Sequence, residues 1–247
     1  MYVDQTRLRQ RGAHLLRSTL LGLVAGSLAG SASAFFLVSL DWVTRQREGL
    51  PWLLYLLPVA GALVGLLYAR WGQTAAKGNN AIISAINGEE VQVPLRMTPF
   101  VLLGTLATHL TGGSAGREGT AVQMGGSLAD TVARLFRLSA QDRRLLLMAG
   151  VSAGFGSVFG TPLAGTVFGL EVATVGLVRY DALLACLVGA FVGDWTTTAW
   201  GAHHTHYAVT SVLPGLGAGL AWRLALAALA FALAARLFVF LTHGIKA

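Results

Sequence analysis

The stretch Thr111–Gly126, TGGSAGREGTAVQMGG, holds the residues best suited to chemistry: an arginine and a glutamate, Arg117 and Glu118, where a glycine-rich loop turns into a helix. Gly112, Gly113, Gly116 and Gly119 let the backbone before that helix take conformations closed to other residues. Thr120–Leu128 reads as the helix's first turns, so N–H groups near Glu118, Gly119 and Thr120 point unpartnered out of its N-terminus. Free donors and the positive end of the helix dipole make that place an anion site. An ionised Glu118 can occupy such a site itself. Once protonated it loses that attraction and can swing away, so one group couples proton movement to anion movement. The plainer alternative is an ion pair with Arg117 or a basic loop residue. Arg117 is either an attractor at the mouth of the pathway or an anchor for backbone carbonyls. Thr120 either caps the helix or offers its hydroxyl to the pathway.

A second stretch, Lys77-Gly78-Asn79-Asn80, precedes a short helical segment, Ala81–Asn87, and offers the same kind of donors. Its alternative is a polar loop with a snorkelling lysine. His203, His204 and His206 raise the question of a metal, but no fourth ligand stands near them, and no metal or other cofactor is expected. Asp194 is unusual inside an apolar run; it is either a second ionisable group in the membrane or a partner for Arg223 or for interfacial backbone. Glu171 ends PLAGTVFGLE and is read as a structural, hydrogen-bonding carboxylate.

The elements that must position these residues are membrane helices. Charged residues are 12% of the 247, about half the share usual in soluble proteins, against 54% apolar residues and 31 glycines. The net charge of +7 collects at segment ends, in Arg7, Arg9, Arg11, Arg134, Arg137, Arg143 and Arg144, which basic cytoplasmic loops explain without a nucleic-acid partner. The single cysteine, Cys186, leaves no internal disulfide. Met1–Gly12 is a basic cytoplasmic arm given no fold, and the first apolar run is too long for the core of a cleavable signal.

Ala13–Arg45 reads as a long helix with Gly22, Gly26 and Gly30 on one tightly packing face. Pro51–Trp71 follows, anchored by Trp52, Tyr55, Tyr68 and Trp71. After the break Gly72–Asn80 and the loop Gly88–Pro94 come Arg96–Leu110, Val122–Phe136, Leu145–Phe159 and Leu163–Val178. All fall short of the ~20 residues of a simple span and read as the broken helices of a transporter. Asp181–Trp200 is an ordinary span, His203–Tyr207 a polar loop and Leu213–Thr242 a last long helix. No Ser/His/Asp order and no phosphate loop stands in the chain, since GGSAGREG lacks the Gly-Lys-Ser/Thr ending; an enzyme is not expected.

GREGTAVQMGG resembles the GREGP element of the CLC family of anion channels and anion/proton antiporters, and Ala149–Glu171 resembles the same family's second long signature. The resemblance runs from about Leu15 to the C-terminus. It implies an all-α, polytopic membrane protein with broken and re-entrant helices, built on an inverted repeat. Residues 13–200 would form the first repeat and residues 201–247 a loop and the opening helix of a truncated second. Phe36–Leu40 and Leu237–Leu241 match faintly, as the opening helices of two halves would. The family's GxFxP element and pore tyrosine do not occur after Leu213.

The resemblance also assigns roles. Glu118 takes the place of the gating, proton-coupling glutamate. Lys77, Gly78, Asn79, Asn80, Arg117, Gly119 and Thr120 fall at anion-binding positions, with Lys77 where chloride-transporting relatives carry the serine of GSGIP. GNN before the short helix, GREGT for GREGP, and the loop His203–Tyr207 resemble the fluoride/proton antiporter branch, in which methionine commonly stands at the Lys77 position. Val172 replaces the second of two adjacent glutamates found in chloride/proton exchangers, which fits the fluoride branch or a channel. The implied function is fluoride/proton antiport; a chloride channel or transporter of the same fold, or an inactive fragment needing a second half, are the alternatives. The implied setting is the inner (plasma) membrane, as a homodimer handling fluoride or chloride and protons.

Overall fold

The computed structural model describes residues 5–173, 177–204, 215 and 217–246. Among them the chain forms nine α-helices, three short 3-10 turns and no strand. They are α1 (Gln5–Gly49), α2 (Leu57–Trp71), α3 (Asn79–Ile86), α4 (Met97–Leu110), α5 (Arg117–Leu135), α6 (Ala140–Phe159), α7 (Pro162–Glu171), α8 (Leu183–Ala199) and α9 (Ala218–Lys246). Among the described residues, four stretches are long and apolar enough to cross a membrane: Gly12–Gly49, Pro51–Trp71, Tyr180–Ala199 and Ala218–Gly244. Residues 1–204 and 205–247 form separate compact units, and the second contributes α9.

α1 is longer than its apolar run. The basic arm becomes helical at Gln5, because arginine, leucine and glutamine are good helix formers and nothing in RLRQRG breaks the turn. The 38 residues from Gly12 to Gly49 extend about 57 Å, nearly twice the hydrocarbon thickness, so this helix crosses obliquely or projects beyond the bilayer. Its glycine face meets α8. A Cβ on Gly22 would lie 2.8 Å from the Ala185 carbonyl oxygen, and one on Gly26 2.7 Å from that of Gly189. Gly30 meets Gly193 in the same way. Both helices advance by four residues per contact, so they run parallel with their backbones touching, the geometry that small residues permit in membranes. Thr197 Oγ1 donates to the Gly30 carbonyl (2.9 Å) and Trp200 Nε1 to Ser31 Oγ (3.0 Å), which extends the contact upward.

α6 is the centre of the first unit, with fourteen of its twenty residues buried. It begins at Ser139, whose hydroxyl accepts from the Asp142 N–H (3.2 Å) and donates to the Asp142 carboxylate (2.6 Å), while Arg17 of α1 pairs with the same carboxylate. It ends at Gly160, whose φ of 66° suits a left-handed cap; His204 packs 2.6 Å from the place of a Cβ. α5 crosses α6 at another glycine contact, where a Cβ on Gly150 would lie 2.6 Å from the Gly125 carbonyl oxygen.

Helix bounds differ from the sequence expectations in one systematic way. α5 and α6 start earlier than Val122 and Leu145, because their first turns, REGT and AQDRR, are polar yet helical behind Gly116 and Ser139. α7 stops at Glu171 instead of reaching Val178. Pro51–Trp71 divides into a 3-10 turn, Pro51–Leu56, and α2, which carries Pro58 in its first turn. α9 is described from Ala218, and Leu213 lies outside the described residues.

Candidate functional site

α5 starts behind Gly116, an extended residue (φ −69°, ψ 136°), and no side chain caps it. The N–H groups of Arg117, Glu118 and Gly119 are therefore the free donors, and Thr120 is the first residue able to bond a carbonyl four back. Glu118 folds over this end: its Oε2 lies 2.9 Å from where a Cβ on Gly116 would stand. Among the described residues it forms no ion pair with Arg117 or any other base. Arg117 and Glu118 are both exposed. Thr120 is buried, with its hydroxyl committed: Oγ1 donates to the Gly116 carbonyl (3.1 Å) and accepts from Thr105 of α4 (2.7 Å). Of the two readings of Thr120, the hydroxyl thus belongs to the helix start and the α4–α5 contact.

α3 starts in a similar way. Lys77 closes a 3-10 turn (Ala75–Lys77) and is exposed; Gly78 follows at φ 54°, ψ −136°, and no side chain caps the helix behind it. The positive φ requires glycine. Asn79 and Asn80 form the first turn and are exposed.

The fold brings these two helix starts together. Asn79 Nδ2 lies 3.9 Å from the place of a Cβ on Gly119, so the α3 amide faces the bare backbone of α5. Gln123, one turn along α5, closes the gap. Its amide covers Gly78, with Nε2, Cδ and Oε1 at 3.4, 3.8 and 3.9 Å from that residue's Cβ position, and Nε2 is 3.8 Å from that of Gly119. The sequence reading passed over Gln123; its signal is that it is the one polar side chain in AVQMGG.

Two buried carboxylates also went unread. Asp130 is fully buried on α5 and accepts from the Val93 N–H (2.8 Å) and Arg143 Nε (2.6 Å), with Arg134 Nε at 3.4 Å. The same arginines hold the Val91 carbonyl (2.6 Å) and the Val93 carbonyl (3.1 Å). This ties the loop leaving α3 to α5 and α6, and so fixes α3 beside α5. Asp142 is the second, at the α6 cap.

The other flagged residues lie elsewhere. Glu171 is exposed at the end of α7 and makes no hydrogen bond to a described residue, so the structural, hydrogen-bonding role expected of it has no partner there. Asp194 Oδ1 stands 3.4 Å from His204 Nε2. No group of metal-ligating side chains occurs among the described residues, and Thr205, His206 and Tyr207 lie outside them.

Residues 60–247 match the family described as voltage gated chloride channel. A chloride/fluoride channel protein of Pseudomonas syringae pv. tomato is 54% identical over 92% of this chain and 50% of its own length. An H+/Cl− exchange transporter of Klebsiella pneumoniae is 35% identical over 67% of this chain and 38% of its own. Among solved structures, a CLC-type fluoride/proton antiporter superposes with a TM-score of 0.77 at 37% identity, covering 88% of this chain and 55% of that one. The chain spans about half the length of the curated relatives it matches.

Proposed function

The chain belongs to the voltage-gated chloride channel family, and from that premise we propose that it works as the anion-handling half of a fluoride/proton antiporter. The observation that carries this reading is the meeting of two uncapped helix N-termini, those of α3 and α5, with Glu118 folded over the second. Both ends present N–H donors and positive dipole ends to one space. An ionised Glu118 competes with an anion for the α5 donors. A protonated Glu118 does not, so anion entry and proton uptake go together. Arg117 and Lys77, both exposed beside the two helix starts, raise the local anion concentration. Gly78, Asn79, Asn80 and Gly119 line the approach, and Thr120 contributes by fixing the α5 start against α4.

Fluoride over chloride rests on donor chemistry. Fluoride is small and holds its water tightly, so short contacts to strong donors must replace that shell. Asn79 and Asn80 put side-chain amides where chloride-handling relatives are expected to carry apolar residues. A strong field also binds chloride, so selectivity lies in the difference between the two anions. The solved fluoride/proton antiporter supports this choice by its likeness to the chain. The Pseudomonas relative, a chloride/fluoride channel protein, supports the second reading, a passive channel.

In this reading residues 13–200 form one repeat, and residues 201–247 are a loop and the opening helix of a second. The protein is a transporter in the inner membrane, not an enzyme, and pairs as a homodimer. The test is efflux from liposomes loaded with fluoride or chloride, read by ion-selective electrodes. It is run with this chain alone and with a second half of the kind its relatives carry. Fluoride leaving faster than chloride, with little flux from the chain alone, is expected. Equal or faster chloride efflux moves the assignment to a chloride transporter, and a voltage set by the anion gradient alone moves it to a channel.

A further inference from the structure

We propose that Gln123 is a specificity-determining residue of this site, donating its amide N–H to the anion between α3 and α5; the inference rests on the anion-transport reading above. Three observations carry it. First, Gln123 Nε2 and Asn79 Nδ2 approach the same point from different helices, standing 3.8 and 3.9 Å from the Cβ position of Gly119. Two amide donors therefore flank a spot that glycine leaves empty, and that spot adjoins the free N–H groups of the α5 start.

Second, Gln123 is unspent. It is half-buried, and its amide makes no hydrogen bond to a described residue, while neighbouring polar side chains are engaged: Thr120 with Gly116 and Thr105, Ser127 with the Pro94 carbonyl (2.8 Å). The amide is not among the fully buried unpaired groups, so its N–H stays free to be taken by an anion entering between the two helices. Third, its amide rests against Gly78, with Nε2, Cδ and Oε1 at 3.4, 3.8 and 3.9 Å from that residue's Cβ position, which is ordinary packing contact. The same glycine that turns the chain into α3 also seats this donor.

The arrangement discriminates by size. A small anion can draw both amides in to short contact, whereas a larger one is held apart from one of them by its own radius. Losing one amide donor therefore weakens fluoride more than chloride. Arg117 and Lys77 cannot do this, because an exposed point charge attracts both anions alike.

The experiment compares wild type with Gln123→Met, which keeps the length of the side chain and removes the donor. Fluoride and chloride efflux are measured in the same liposome preparation, with the second half supplied as in the efflux test above, and fluoride binding is followed by 19F NMR in detergent. The expected result is a fall of about tenfold in the fluoride-to-chloride ratio, the size of one lost hydrogen bond to an ion, with a matching loss of fluoride affinity. Gln123→Glu, close in shape but presenting an acceptor, is expected to lower fluoride affinity further and serves where methionine is not tolerated. An unchanged ratio and affinity, or an equal fall for both anions, overturns the proposal. Wild-type efflux reports separately on the function: a wild type that favours chloride refutes the fluoride reading, while the variant's ratio still reads Gln123.

Discussion

Replacing Asp130 by asparagine should loosen the frame that holds α3 beside α5. The carboxylate is fully buried and accepts two hydrogen bonds, from the Val93 N–H at 2.8 Å and Arg143 Nε at 2.6 Å, while Arg134 Nε donates to the Asp130 backbone carbonyl and stands 3.4 Å from the carboxylate as an ion-pair partner. Asparagine keeps one carbonyl oxygen, enough for the Val93 N–H, and turns an amide NH2 toward Arg143, so donor faces donor. Arg143 is mostly buried and also holds the Val91 carbonyl, so it cannot simply swing into water. Breaking a buried pair by removing one partner costs about 3–5 kcal/mol. The retained hydrogen bond to Val93 offsets about 1 kcal/mol of that. Arg134 is more than a third exposed, so its share is small after solvent screening. A net loss of about 2–4 kcal/mol follows, which for a unit of this size lowers the melting temperature by about 4–16 °C. Thermal denaturation of detergent-purified protein, followed by fluorescence-detected size exclusion, measures it. A double-mutant cycle with Arg143→Met should recover much of the loss, since no charge is then stranded. A midpoint within 1 °C of wild type, or fully additive losses in the cycle, refutes the claim that this ion pair ties the loop to α5 and α6.

Two further outcomes follow from the same geometry. Gly26→Leu drives a side chain into the Gly189 carbonyl at 2.7 Å, with Val192 Cβ at 2.8 Å, so α1 and α8 must separate; loss of the monodisperse peak on size exclusion is expected, while Gly61→Leu, where no atom stands within 4 Å, leaves it unchanged. Lys77→Met removes an exposed charge from beside a helix start and should weaken fluoride binding about two- to fivefold without altering selectivity, as titration calorimetry can show.

Much of this site can be read from spacing alone, because its main pieces are local. GREGT after a run of glycines announces a helix start, which falls at Arg117, three residues before the Thr120 that the spacing suggests. The face Gly22, Gly26, Gly30 announces a close partner, though not that the partner is α8. What composition cannot supply is register between helices. Nothing in Lys77–Asn80 says that Asn79 will face Gly119, since that depends on Asp130 and the loop it clamps. Asp130 itself looks like any helical surface acid paired with Arg134 four residues on; its burial comes from Val93 and Arg143 arriving from elsewhere. Thr120 depends on tertiary contact in the same way: spacing leaves its hydroxyl open to either of two roles, and in the fold it bonds the Gly116 carbonyl and Thr105 of α4. Hydropathy marks where a helix is apolar, not where it begins, so the polar first turns of α5 and α6 escape it.

The central claim, that Glu118 joins proton movement to anion movement, is tested most directly by Glu118→Gln. Glutamine keeps the side chain's shape over Gly116 and removes the ionisation. Liposomes carrying a trapped pH dye and a fluoride gradient report both fluxes in the flux-competent protein. The account predicts that wild type drives protons against their own gradient as fluoride moves, and that the variant carries no fluoride-driven proton flux, whether its anion movement continues passively or stops. Fluoride-driven proton pumping at the wild-type ratio in Glu118→Gln would contradict it.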